Sequence, residues 1–121
     1  DGLPSVSRLL NAGIGKDRTV PEHRAWADQL YAVYTQGREA RMMAAIVGEA
    51  GLSQSDRRAV AFADRFETEF VGQGGRRRTL AETIEVGWRL LETMPRSDLL
   101  RLGDAAWQAR QDAAAAGAGR G

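Results

Sequence analysis

Apolar residues in this chain recur at helical spacing behind helix-start signals, and no stretch sustains the two-residue alternation of a half-buried strand. The first run is the longest. Thr19, followed three positions later by Glu22 with Pro21 between them, forms a capping box with proline in the first turn. From there Trp26, Leu30, Val33, Tyr34, Ala40, Ala44 and Val47 lie on one helical face, so a single long helix is predicted to end near Gly48, with Gly37 as a bend or a point of close packing. After the turn Gly48-Glu49-Ala50-Gly51-Leu52, Ser53 can accept an orphan amide N–H, and Asp56 suits the positive end of a second helix. In that helix Phe62, Phe66 and Phe70 stand four apart with Ala59 and Ala63 between them, the signature of a core-facing stripe.

Gly72-Gln73-Gly74-Gly75 breaks the pattern, and Thr79 with Glu82 repeats the capping box for a third helix carrying Leu80, Ile84, Gly87, Trp88 and Leu91. Pro95 closes it. Ser97-Asp98 then reads as the start of a fourth helix, with Leu99, Leu102, Ala106 and Trp107 inward, before an alanine- and glycine-rich tail over 113–121. The expected fold is all-α: a small antiparallel helical bundle over 19–112, preceded by an irregular N-terminal lead-in over 1–18 that contains Pro4, Gly13 and Gly15.

Composition narrows the chemistry. At 121 residues, 43% hydrophobic and 27% charged, the chain has room for one small core. A formal charge of +1 excludes whole-surface attraction to nucleic acid or anionic lipid. The absence of cysteine removes disulfides, thiolate metal ligands and thiol nucleophiles together, and agrees with a reducing compartment. A single histidine, His23, beside Glu22 in a first helical turn, reads as exposed, and no metal site is expected. No apolar run reaches the roughly 18 residues of a membrane span, and no secretory leader pattern is present, so a cytoplasmic location is expected. No G-x-x-x-x-G-K-[ST] loop occurs, and Glu67 and Glu69 have no matching base on their face for paired-carboxylate catalysis. Arg76-Arg77-Arg78 lacks interleaved aromatics and reads first as a solvated turn, with a nucleic-acid patch as the other reading. Arg8 on its own reads as a solvated loop arginine.

Several segments in one order carry a resemblance: Pro4-Ser5-Val6-Ser7-Arg8-Leu9, Gly13-Ile14-Gly15, Asp28-Gln29-Leu30-Tyr31-Ala32, Gly37-Arg38-Glu39, Ile46-Val47-Gly48-Glu49-Ala50, Leu52-Ser53, Phe62-Ala63-Asp64, Phe70-Val71, Gln73-Gly74, Glu82-Thr83 and Gly87-Trp88. Together they resemble the C-terminal part of the B subunit of vacuolar/archaeal-type (V/A-type) rotary ATPases, also called ATP synthases. The likeness covers residues 3 to about 95, and the stretch from roughly Ala105 onward departs from it.

The resemblance implies a helical C-terminal domain of the non-catalytic subunit that alternates with the catalytic A subunit around a rotating shaft. The family's N-terminal barrel and central nucleotide-binding domain are not in this sequence, and 1–18 would be the loop leading out of the latter. Arg8 matches the family's interfacial arginine, a finger acting in trans on ATP bound mainly by the catalytic A subunit, while Ser5 and Ser7 would shape the nucleotide-proximal loop. In related phosphoryl-transfer systems such a finger contributes about 10³ to 10⁵ in rate. The turn of Glu49, Ala50, Gly51 and Leu52 falls where the family points a tip at the central-stalk subunit, although a tight capped turn explains the same residues. ATP or ADP with Mg would lie at the subunit interface of the full complex and none on this fragment, which is not expected to be an enzyme alone. The other partners implied are the remaining subunits of a proton- or sodium-translocating complex, with membrane association only indirect, through the soluble head, and no nucleic acid. The alternative reading is a free-standing helical adaptor or nucleic-acid-binding module using Arg76 to Arg78.

Overall fold

A computed structural model describes residues 21–71 and 80–120, with side chains described over 24–69 and 82–115. Among the described residues four α-helices follow one another: α1 (Pro21–Val47), α2 (Gln54–Arg65), α3 (Leu80–Leu91) and α4 (Asp104–Arg120). Two 3₁₀ turns, Glu49–Gly51 and Arg96–Asp98, sit in the connections. Among the described residues there is no strand, and the all-α bundle expected from the apolar spacing is the fold observed.

α1 and α2 form a tight antiparallel hairpin. Ser53 Oγ accepts the Asp56 N–H at 3.0 Å, which starts α2 at the expected cap. Gly37 sets the distance between the helices: a Cβ there would run into the Ala59 carbonyl and come within 2.8 Å of the Ala63 Cβ. The small residues therefore let the backbones meet, and Gly37 is a contact point rather than a bend. Tyr34 and Phe66 pack with ring centroids 4.9 Å apart, and Phe62 lies 6.1 Å from Phe66. Past Arg65 the helix widens to π geometry over Phe66–Val71. The Phe70 side chain lies outside those described, so the stripe is documented by Phe62 and Phe66.

α3 completes the core. Trp26, Leu30, Phe62 and Phe66 meet Trp88, Leu90, Leu91 and Met94, and the connection after α3 adds Leu99 and Leu102. Here the structure corrects the fourth helix. Ser97 and Asp98 belong to the short 3₁₀ turn, and α4 starts only at Asp104, after Gly103 with φ of 79°. Tertiary partners hold the connection out of helix: Arg58 Nε donates to Asp98 at 2.9 Å and the buried Gln29 side chain accepts the Arg101 N–H at 2.6 Å, while within the connection Arg96 donates to the Leu99 carbonyl at 2.9 Å. Leu99, Leu102 and Ala106 are nonetheless buried as expected, while Trp107 is half-buried with the Arg96 guanidinium 5.6 Å over its ring. The α4 helix carries on through the alanine-rich stretch to Arg120, consistent with alanine's high helix propensity.

Arg110 fastens α4 to α3. It donates to the two Glu85 carboxylate oxygens at 2.6 and 2.8 Å and to Glu92 at 3.1 Å, and lies 5.9 Å over the Trp88 ring. The bond from Arg110 holds the Glu85 carboxyl below its ordinary value, against the opposing effect of burial.

Two outcomes follow from this packing. Phe66 is 0% exposed, so Phe66→Ala should destabilise the chain by about 3–5 kcal/mol in thermal or urea melts. Glu85 has a folded pKa below the unfolded value of 4.5, so its contribution is present above that value and lost as pH falls through the folded one. Unfolding free energy measured between about pH 6 and pH 3 should therefore fall less steeply for Glu85→Gln than for the unaltered chain.

Candidate interaction site at the hairpin tip

The tip begins where α1 runs out at Val47 and Gly48 takes φ of 85°, a left-handed value that suits glycine. Gly48 N–H still donates to the Ala44 carbonyl at 2.8 Å. One 3₁₀ turn then reverses the chain, with Gly51 N–H on the Gly48 carbonyl at 3.1 Å and Leu52 N–H on the Glu49 carbonyl at 3.0 Å. Glu49, Ala50 and Gly51 face solvent, whereas Leu52 is 8% exposed and anchors the turn from inside. The four residues singled out in the sequence thus divide into three that are presented and one that holds them. Beside them an open groove of about 470 Å³ is lined by Arg41, Ala44, Glu49, Ala50, Leu52 and Val60, among others.

Below the tip, a polar belt ties α1 to the end of α2. Arg41 donates to Asp64 at 2.6 Å and reaches Glu67 at 3.4 Å, and the Tyr34 hydroxyl donates to Glu67 at 2.9 Å. Burial raises the Tyr34 phenol, and its bond to Glu67 adds to that shift. On the other side of the hairpin, Gln36 donates to Asp56 at 2.9 Å and Ser55 at 3.2 Å. Glu67 is therefore a structural acceptor.

One part of this surface is not evident from the apolar spacing. Val47, expected on the inward face, is exposed, and so are Met42, Met43 and Ile46 on the last turns of α1. Their helical phase is the signal that could have found them: Met42 and Ile46 lie opposite the core face of Trp26, Leu30 and Gly37. Ser5, Ser7 and Arg8, like His23's side chain and Arg76 to Arg78, lie outside the described residues. Among the described residues no group of three His, Cys, Asp or Glu side chains converges to hold a metal ion. The arrangement is a solvent-facing turn braced from inside by Leu52 and from below by the polar belt.

A helical hairpin with a capped tip, braced by a third and fourth helix, defines a small all-α bundle domain. The model of the C-terminal domain of V and A type ATP synthases matches residues 12–110. The V-type ATP synthase beta chain of Anaeromyxobacter dehalogenans (strain 2CP-1) is 52% identical over 118 residues, covering 98% of this chain and 25% of that protein. The A-type ATP synthase B subunit of Methanosarcina barkeri (strain Fusaro) is 48% identical over 101 residues, covering 83% of this chain and 22% of that protein. The chain belongs to the family of C-terminal domains of V/A-type ATP synthases, on the B-subunit side. It spans about a quarter of the length of the curated relatives it matches. The family match extends to residue 110, past Ala105, near which the sequence segments suggested a departure.

The division of labour at the tip has a direct check. Leu52→Ala should lower stability by about 2–3 kcal/mol, a typical value for emptying a buried leucine site, while Glu49→Ala should leave the melting temperature within error. Equal losses in the two variants would contradict the assignment of Leu52 as anchor and Glu49 as presented side chain.

Proposed function

We propose that this chain serves as the helical C-terminal domain of a B subunit in a rotary ATP synthase or ATPase, acting through contacts rather than through chemistry of its own. The observation that carries the reading is the family match over 12–110, joined to a hairpin that offers Glu49, Ala50 and Gly51 on a buried Leu52. In this reading the tip touches the central-stalk subunit, and the belt of Tyr34, Arg41, Asp64 and Glu67 stiffens the hairpin against the load. A helix pair locked by small-residue contact transmits a push with little internal give.

The nucleotide belongs to the neighbour. ATP or ADP with Mg sits at the interface with the catalytic A subunit, and Arg8, in the loop that Ser5 and Ser7 shape, reaches its phosphates in trans. A guanidinium suits that task because it is permanently charged and offers paired donors in one plane. Turnover is coupled to proton or sodium transport by the complex as a whole, and the domain lies in the soluble head on the cytoplasmic side, attached to the membrane only through other subunits. Among the described residues no helix is long and apolar enough to cross a membrane.

The test is steady-state ATP turnover of complexes reconstituted with the full-length protein, with assembly checked by size. Arg8→Ala should lower turnover by about 10³-fold or more, as expected for loss of an arginine finger, while assembly and melting behaviour stay as they are. Arg8→Lys should recover part of the rate, since the charge remains and the planar fork is lost. Near-normal turnover with alanine would remove Arg8 from the mechanism and leave a domain of contacts alone.

A further inference from the structure

On the last turns of α1, Glu39, Met42, Met43 and Ile46 follow one another at steps of three, one and three residues on the side away from the core. Met42 is 66% exposed, Met43 50%, Ile46 79% and Val47 53%. A carboxylate stands at each end of this patch, Glu39 before it and Glu49 after it, and both are exposed. Neither has an ion-pair or hydrogen-bond partner among the described residues. Of the nearby cations, Arg41 is engaged on Asp64 and Glu67 and Arg38 against the Tyr34 ring, while the exposed Arg57, which lines the groove beside Glu49, donates to the Ala50 carbonyl at 3.5 Å and makes no ion pair with Glu49.

We propose that this patch is a docking strip for a helix of another subunit, one that lays an apolar stripe on Met42, Met43, Ile46 and Val47 and sets lysine or arginine side chains against Glu39 and Glu49. The inference deepens the tip contact proposed above and rests on that reading for its setting. Charge complementarity selects the occupant, because a cationic edge at both ends of an apolar stripe matches the two open carboxylates.

A second copy of this chain fits poorly. Pairing the two strips antiparallel brings Glu39 of one copy against Glu49 of the other, and pairing them parallel brings each glutamate against itself. The area points the same way. The four side chains present on the order of 400 Å², enough for a distinct apolar patch but only about half of what each partner contributes to a stable protein–protein interface. The strip therefore suits a contact that is made and released while other interfaces hold the assembly. Methionine fits such use, since its unbranched, polarisable side chain repacks against different neighbours without directional bonds.

The test uses this chain and two synthetic helical peptides that share one leucine stripe at i, i+3, i+4 and i+7, one flanked by lysines and the other by glutamates. Fluorescence anisotropy at low salt should give the lysine peptide at least 10-fold tighter binding than the glutamate peptide. Ile46→Ser should weaken the lysine peptide about 10-fold, and the paired charge reversal Glu39→Lys with Glu49→Lys should invert the preference. Circular dichroism of each variant checks that the helices are retained. Equal binding of both peptides, no binding of either, or an unchanged preference after charge reversal would overturn the proposal. So would a dimer in sedimentation that Ile46→Ser dissociates, because a second copy would then be the occupant. Peptide binding is read on this chain alone, whereas the stalk contact is read separately as ATP turnover of the whole complex carrying Glu49→Ala with Ala50→Asp at the tip, so the failure of one is distinguishable from the failure of the other.

Discussion

The close approach of α1 and α2 at Gly37, Ala59 and Ala63 is the constraint on which the rest of the molecule depends. With no side chain at Gly37 and only methyl groups opposite, the backbone of α1 meets the Ala59 carbonyl. That separation is what brings Tyr34 onto Phe66, Gln36 onto Asp56 and Arg41 onto Asp64 and Glu67. A wider pair would leave the aromatic rings poorly packed and place the polar belt beyond hydrogen-bond reach. It would also need a longer connection than the single 3₁₀ turn that now presents Glu49, Ala50 and Gly51.

Around that hairpin the bundle closes in two ways. Apolar burial does the larger part, with Trp26, Leu30, Phe62, Phe66, Leu91 and Leu99 all but inaccessible to water. Charged groups fix the orientation of what is added last. Arg110 reaches Glu85, Glu92 and the face of Trp88 at once, so α4 has one seating on α3. Arg58 and Asp98 tie the connection between those helices back to α2. The two-oxygen grip of Arg110 on Glu85 adds geometric definition beyond the modest energy of an exposed ion pair.

Function rests on what this architecture can and cannot do. The described residues supply a stiff hairpin, a presented turn and an apolar strip flanked by carboxylates, all of them features of contact. Membership in the V/A-type ATP synthase C-terminal domain family gives the chain its place in a multi-subunit assembly, and the contacts proposed above are read against that setting. The hairpin frame is braced by packing and polar bonds, whereas Met42 and Met43 at the end of α1 are exposed, unbranched side chains that can repack against different neighbours.

Local chemistry decided much of this in the sequence. Pro21 in a first turn, Ser53 with Asp56 three residues on, and the stripe of Ala59, Phe62, Ala63 and Phe66 located two helices, their shared face and the turn between them, because caps and periodicity involve only neighbours along the chain. The same turn held the candidate tip. Where distant residues compete, local signals failed. Ser97-Asp98 looks like a helix start, yet Asp98 is taken by Arg58 from α2 and the Arg101 amide is served by Gln29 from α1, so α4 waits until Asp104. Leu52 and Glu49 are nearby parts of one motif in the sequence, and only the fold turns one inward and the other out. Met42 and Ile46 lie opposite the core face by helical phase, which the sequence already carries, whereas Val47 keeps the inward spacing and only the tertiary structure shows that nothing covers it at the end of α1.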